Sequence, residues 1–399
     1  MAFSDPPSSQ NSLHRRQFLK GSLASAAALA IPAWAQGTSY KAAVIGHTGK
    51  GDYGMGVDRI FRGQSAIQVV AVADPETSGH DEAKNQTGAP VAYADYREML
   101  SKEQPQLVAL ASNQVAGRLP MAMAVLDAGA HLFLQTPMAT SLEEADQLLA
   151  KAEEQGLRIC VSQPLILDPK VQQLKTSLDQ GQLGDLLEIR AFGMQDETAG
   201  SEDMLRWGTH LFDLARFLVG DCAWCSARIQ QEGTEISAAA AAATSLGPLM
   251  GDQVHAHYAL RGGANLTFLS QAKQRQISGD WGLELIGSKA KVRLFAGFPT
   301  KVFWVTAAKV KNYTYPYVPL PTGDAEDEAA ALPEGAWLDL ANRRIVEDWL
   351  RAIQGSRDPI SSGYRGMKSL EMAMAALQSS VEKRRVRFPL HERGNPLAS

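Results

Sequence analysis

The sequence predicts an α/β protein in two parts: a doubly wound parallel sheet, then an α+β domain with an open, largely antiparallel sheet. Three observations carry this. Residues 40–75 read as apolar run, glycine-rich turn, helix-like segment, second apolar run and terminal acid. From there to residue 162, short apolar runs alternate with helical patterns, as in a parallel sheet covered on both faces. Beyond it, strand-like runs follow one another across turn signals, the pattern of antiparallel pairing.

The first stretch is the most informative. Ala42 to Ile45 enters a turn holding Gly46, Gly49, Gly51, Gly54 and Gly56; residues 57–62 carry the helix-like pattern, and 67–73 end at Asp74. That order opens a dinucleotide-binding Rossmann unit. Glycine lets the backbone approach a pyrophosphate, and a helix N-terminus adds N–H donors and a positive dipole end. An acid closing the second strand can accept from ribose hydroxyls and repels an added phosphate, so Asp74 favours NAD over NADP. The spacing departs from G-x-G-x-x-G, because Gly46 and Gly49 are followed by a longer loop to Gly54 and Gly56. Gly46, Thr48, Gly49, Tyr53, Gly54 and Asp74 are the expected ligands of NAD or NADP in this stretch.

Further along, helices are expected at 79–87, 95–102, 119–128 and 141–155. Ser141 caps the last, with Glu143 and Glu144 in its favourable first turn. Strands alternate with them, around Val91 and Tyr93 and at 107–111, 131–134 and 159–162. Ligands of such sheets sit beyond the strand C-termini, so Ser112, Asn113 and Gln135 to Pro137 should line the same crevice. The second region begins with a helix at 168–178, Pro169 in a tolerated first-turn position, then a strand at 186–192. A polar loop, 195–203, precedes a helix at about 205–218. Strands follow at 223–230, 253–260, 265–271, 282–286, 291–295 and 301–305. Residues 238–243 read as a loop or short helix and 313–334 as a long surface excursion; helices at 341–353 and 367–383 close the chain.

A length of 399 residues suits about two domains, set here at 37–162 and 163–399. Residues 1–36 are an address. His14 to Lys20, HRRQFLK, is a twin-arginine core, and the apolar stretch 21–31 is too short for an ordinary membrane span. Ala33-Trp34-Ala35 fits a cleavage site. The partner this implies is the twin-arginine translocation machinery, and the location is periplasmic or otherwise exported, with no membrane contact after signal removal. Folded export would let a protein load a nucleotide before crossing. A net charge of −4 makes no electrostatic case for nucleic acid. Cys222 and Cys225 lack a second pair or a nearby histidine, and His255 and His257 share a strand face without a third ligand, so no metal is expected.

From about Tyr40 to Pro396 the chain resembles the glucose–fructose oxidoreductase/inositol dehydrogenase/MocA family. The resemblance rests on VIGHTGKGDYGMG, on AVADP at 71–75, and on PMAMAVLDAGAHLFLQTPMATSLEEAD. It extends through GQLGDLLEIR, WGTHLFDLARFLVGD and NRRIVEDWLRAIQGSRDPI. It implies a Rossmann domain followed by an open-faced mixed sheet, an active site between them, and sugar, sugar-acid or cyclitol substrates. It also implies a homo-oligomer. Two motifs normally carry the reaction. Gly-x-His-x-x-Asp is present from Gly208 to Asp213, with His210 suited to accept an alcohol proton. Asp213, three residues on, would orient it or bind a hydroxyl. Glu-Lys-Pro is replaced by Gln135-Thr136-Pro137, and Thr136 cannot supply the charge that steadies a developing alkoxide. Arg118 aligns with a substrate-contacting position, while Ile166 removes a polar group that many relatives carry. Arg206 and Trp207 flank the expected cleft, Trp207 able to stack on a sugar ring or to fill core.

The leading expectation is an exported NAD(P)-binding oxidoreductase acting on a carbohydrate or cyclitol, its nucleotide tightly held and recycled in one site. One alternative is a redox-neutral NAD-dependent glycoside lyase or hydrolase, in which transient oxidation of a sugar carbon permits loss of the glycosidic substituent. The other is a non-catalytic sugar-binding protein that keeps the fold without the motif lysine.

Overall fold

The computed structural model describes residues 39–398 except 55, 273–280, 298, 307–317 and 321–335. The signal segment 1–36 lies outside the described residues, as does the 313–334 excursion apart from residues 318–320.

Six short strands form the first sheet: Tyr40–Ile45 (β1), Ile67–Ala73 (β2), Ala92–Tyr93 (β3), Leu107–Leu110 (β4), His131–Leu134 (β5) and Ile159–Val161 (β6). Their order is β3-β2-β1-β4-β5-β6, every pairing parallel. The sheet grows outward from β1 in both directions, so a crevice opens beyond the C-termini of β1 and β4. Helices His80–Thr87 (α1), Tyr96–Glu103 (α2), Leu119–Asp127 (α3) and Leu142–Glu154 (α4) connect the strands. Asp95 and Ser141 cap α2 and α4 by accepting from the N–H groups of Arg97 and Glu144.

The expected helix at 57–62 is not formed. The segment runs instead as successive tight turns: Arg59 N–H donates to Gly56 O, Ile60 to Val57 and Arg62 to Arg59. Gly54 and Gly56, at φ 67° and 77°, bring the chain in outside helical geometry. Val57, Ile60 and Phe61 still bury their side chains against the sheet, which is why the apolar spacing resembled a helix.

The second region adds Pro169–Asp179 (α5), Leu186–Phe192 (β7) and Thr209–Val219 (α6). The remaining main strands are Cys222–Gln231 (β8), Gln253–Leu260 (β9), Asn265–Gln271 (β10), Gly282–Gly287 (β11), Ala290–Phe295 (β12) and Lys301–Thr306 (β13). They assemble as β13-β12-β11-β7-β10-β9-β8, with β7 and β10 parallel and the other pairs antiparallel. Helix α6 continues without a break from Ser201–Asp203 and a π-helical turn, Met204–Gly208, so the helical run covers the expected 205–218 and begins before it. Such widened turns recur at functional sites, and this one carries Arg206 and Trp207. Residues 238–243 split between a 3₁₀ turn, Ala238–Ala240, and the first strand of a small hairpin.

Two helices finish the chain, Ala336–Gln354 (α7) and Gly363–Glu382 (α8). On the outer edge of β8, Val386–Arg387 pairs with Trp224 and Cys225, Thr234–Glu235 with Gln230 and Gln231, and between them Ser379 and Ser380 of α8 accept from the N–H groups of Ala227 and Ile229. Helix α7 returns to the first sheet, where Trp349 packs against Phe133 with ring centroids 5.7 Å apart. Cys222 and Cys225 are buried free thiols on β8. Among the described residues no group of three or more His, Cys, Asp or Glu is placed to hold a metal.

Candidate active site

Glycine shapes the floor of the crevice beyond β1. A Cβ on Gly54 would lie 2.3 Å from the Ala111 carbonyl oxygen, and one on Gly51 2.4 Å from the Gln114 nitrogen. The loop therefore packs backbone to backbone on the segment after β4. Gly49, at φ 74°, faces open space. A cavity of about 320 Å³ follows, bordered by Gly46, His47, Asp74, Ser112 and Arg118.

Asp74 sits at the end of β2 as expected, but it is 0% exposed. Its carboxylate accepts from Thr48 N–H (3.0 Å), Thr48 Oγ1 (2.6 Å), Tyr53 Oη (2.5 Å) and Glu76 N–H (2.9 Å). Burial alone would raise its pKa; the hydrogen bonds from Thr48 and Tyr53 outweigh that and hold it below the ordinary value. Tyr53 lies across Gly46, where a Cβ would be 2.2 Å from its ring, and burial followed by the Asp74 bond pushes its phenol well up. Thr48 and Tyr53, expected to touch the nucleotide, thus hold the acid expected to read its ribose. A ribose hydroxyl reaching Asp74 must displace one of these donors. Tyr53→Phe removes a buried hydrogen bond to a charged group, so a loss of about 1.5–3 kcal/mol is expected in urea denaturation.

Arg118 is 2% exposed and donates to the carbonyls of Ser112, Gln135 and Pro137, each at 2.7 Å. Burial lowers its pKa to about 9, and the three carbonyl dipoles compensate its desolvated charge. It ties the loop after β4 to the loop after β5. Arg118, expected to contact substrate, turns into these loops, borders the smaller cavity and is not among the residues lining the larger pocket described next.

That pocket, about 800 Å³, lies between the two sheets. Asn113, Gln135, Thr136 and Ser162 line it from the first, and Arg206, Trp207, His210, Trp281 and Lys301 from the second region. Gln135 Nε2 donates to Asn113 Oδ1 at 3.4 Å. Thr136 Oγ1 and His210 Nε2 stand 3.1 Å apart. Burial drives the His210 pKa down to about 4, so the ring is neutral at neutral pH, and its buried Nδ1 has no partner among the described residues. Arg206 is held by Glu202 (2.8 Å) and Ser245 (3.0 Å). Trp207 meets Trp281 edge to face, centroids 5.4 Å apart.

Asp213 does not join this group. It is 1% exposed and pairs with Arg365 of α8 at 2.7 Å. Three residues along a helix rotate by about 300°, so the two side chains diverge by about 60°. That sends His210 to the pocket and Asp213 to the helix interface. Asp213, expected to orient His210 or bind a hydroxyl, stands in an interhelical ion pair.

Trp281, Phe295, Phe303 and Lys301 also line the pocket, and the sequence reading assigned them nothing. Phe295 pairs with Lys301 across β12 and β13, and Lys301 and Phe303 share a sheet face by their spacing of two. The alternation was visible in the sequence; the strand register that brings it to the pocket was not.

Comparison with known proteins agrees with the fold. Residues 40–163 match the oxidoreductase family model with an NAD-binding Rossmann fold, and 175–388 match its C-terminal alpha/beta domain. Residues 12–32 match the twin-arginine translocation signal. D-apiose dehydrogenase of Paraburkholderia graminis is 23% identical over 341 residues, 82% of this chain and 84% of that one. Levoglucosan dehydrogenase of Pseudarthrobacter phenanthrenivorans is 25% identical over 170 residues, 39% of this chain and 43% of its own. Glycosyl hydrolase family 109 protein 2 of a Shewanella species is 28% identical over 206 residues, 44% of this chain and 45% of that one. A solved levoglucosan dehydrogenase with NADH and levoglucosan shares the fold at TM-score 0.70 and 18% identity, over 88% of this chain and 100% of that one. With both domain models matched in sequence order, the chain belongs to the Gfo/Idh/MocA oxidoreductase family and carries the signal for twin-arginine export.

Proposed function

We propose that the protein moves hydride to and from a hydroxyl-bearing carbon of a carbohydrate or cyclitol, using a nucleotide loaded before export and retained. The observation that carries this is the hydroxyl–imidazole pair of Thr136 and His210, 3.1 Å apart, beside Asn113 and Gln135. The sugar dehydrogenases among its relatives support the substrate class.

The residues present fit a nicotinamide dinucleotide. The backbone of Gly46 to Gly54 and Ser112 would hold its phosphates and ribose, with open space at Gly49, and Asn113, Gln135 and Pro137 would border its reactive end. When bound, that group accepts and returns hydride. NAD is favoured over NADP, because Asp74 keeps its negative charge at neutral pH and repels a phosphate nearby. A homo-oligomer and the division at residue 162 belong to the same reading.

The chain's own residues handle the proton. A substrate hydroxyl seated against Thr136 gives its proton to His210 Nε2, directly or across Thr136 Oγ1. Among the described residues Nδ1 has no acceptor to steady an imidazolium, so the proton is readily handed back. That suits a site in which hydride also returns. Thr136→Val keeps the shape and removes the hydroxyl, so kcat is expected to fall roughly 10–100-fold with nucleotide affinity unchanged. Unchanged turnover would sink the proton path through Thr136.

A second reading, the redox-neutral glycoside lyase or hydrolase, draws support from the same pair. Both routes pass through the same alkoxide, which no cation at Thr136 steadies, and the similarity to a glycosyl hydrolase family 109 protein supports the redox-neutral one. Product analysis separates them: the dehydrogenase leaves an oxidised sugar and reduced nucleotide, the lyase a released aglycone and unchanged nucleotide.

A further inference from the structure

We infer that the larger pocket takes a sugar joined to a planar apolar group, such as an aryl glycoside, in preference to a free monosaccharide. This rests on the sugar reading of Thr136 and His210. Trp207 and Trp281 stand against the His210 ring, centroids 6.3 and 6.1 Å away, and Phe295 and Phe303 line the same cavity. Trp281 stands at 71° to Trp207 and 90° to His210, with centroids 5.4 and 6.1 Å apart, and Phe295 at 88° to Phe303, 5.9 Å apart.

A monosaccharide presents two C–H faces, and one ring against each covers them. Four aromatic side chains, from the π turn, the residue before β11, β12 and β13, exceed that need. The cavity of about 800 Å³ also lies toward the upper end of the ~300–1,000 Å³ that holds a drug-sized ligand. Perpendicular ring pairs present edges and faces together, the surroundings in which a planar aromatic group packs edge-to-face or offset. Trp281 is 6% exposed, and its Nε1–H has no acceptor among the described residues. An oxygen at the link between sugar and aglycone would supply one.

The test titrates the nucleotide-loaded protein with matched phenyl and methyl glycosides of glucose, galactose, N-acetylglucosamine and glucuronic acid, by calorimetry and tryptophan fluorescence. The expected result is binding of a phenyl glycoside at least tenfold tighter than its methyl counterpart, with altered tryptophan emission. Phe303→Leu should reduce that preference severalfold. Equal affinities for phenyl and methyl glycosides would overturn this inference and leave the sugar reading standing. Failure of every glycoside to bind would overturn both. A phenyl preference undiminished in both Phe303→Leu and Trp207→Leu would overturn the assignment to this wall.

Discussion

His210→Ala is expected to lower kcat by about 10²–10⁴-fold, the range of a lost general base, while nucleotide affinity stays near the native value. His210 is the imidazole that stands against Thr136, and among the described residues its Nδ1 has no partner, Asp213 being paired with Arg365. The pH dependence follows from its burial. With a pKa of about 4, the ring is already deprotonated above roughly pH 5, so the base-side rate is flat there and falls only as pH drops toward 4. Stability moves the same way. The folded pKa, about 4, lies below the ordinary 6.5, so between these values the unfolded chain binds the proton more strongly. His210 therefore contributes stability above pH 6.5 that is lost as pH falls through 4, and alanine abolishes that share of the pH dependence. A non-catalytic binding protein predicts no turnover to lose, so rapid-mixing kinetics with the native chain and H210A separate the cases.

Arg118→Leu is expected to cost about 3–5 kcal/mol in urea denaturation and to weaken nucleotide binding strongly. Leucine leaves the buried carbonyls of Ser112, Gln135 and Pro137 without their donor. Those carbonyls belong to the two loops proposed to hold the nucleotide's reactive end, so stability and affinity should fall together. Arg118→Lys keeps the charge but not the planar fork that reaches three acceptors, and should fall between the two. A leucine variant with native stability and native affinity would show that the loops hold themselves in place.

Much of this was legible in the sequence, for identifiable reasons. Asp95 and Ser141 are caps whose side chains act on residues two and three positions away, so local reading finds them. The parallel sheet is legible because residues 42–45 of β1, all of β4 and β6, and residues 132–134 of β5 are buried on both faces and read as unbroken apolar runs. What the sequence does not reveal depends on contacts distant in sequence. Asp213 meets Arg365 across 152 positions, and no spacing rule reveals that. Arg118 looks like any cleft arginine until three carbonyls converge on it. The pattern at 57–62 buries the same apolar face in turns as it would in a helix; only the positive φ of Gly54 and Gly56 decides between them.

The most direct measurement is made on the mature exported protein, purified without added nucleotide and mixed with a panel of sugars and glycosides while nicotinamide absorbance is followed. The account predicts a bound nicotinamide nucleotide whose spectrum changes with at least one sugar or glycoside, stoichiometrically with protein, and not in His210→Ala. A folded protein that neither carries nor binds a nicotinamide nucleotide, or one whose bound nucleotide responds to no sugar or glycoside, would contradict it.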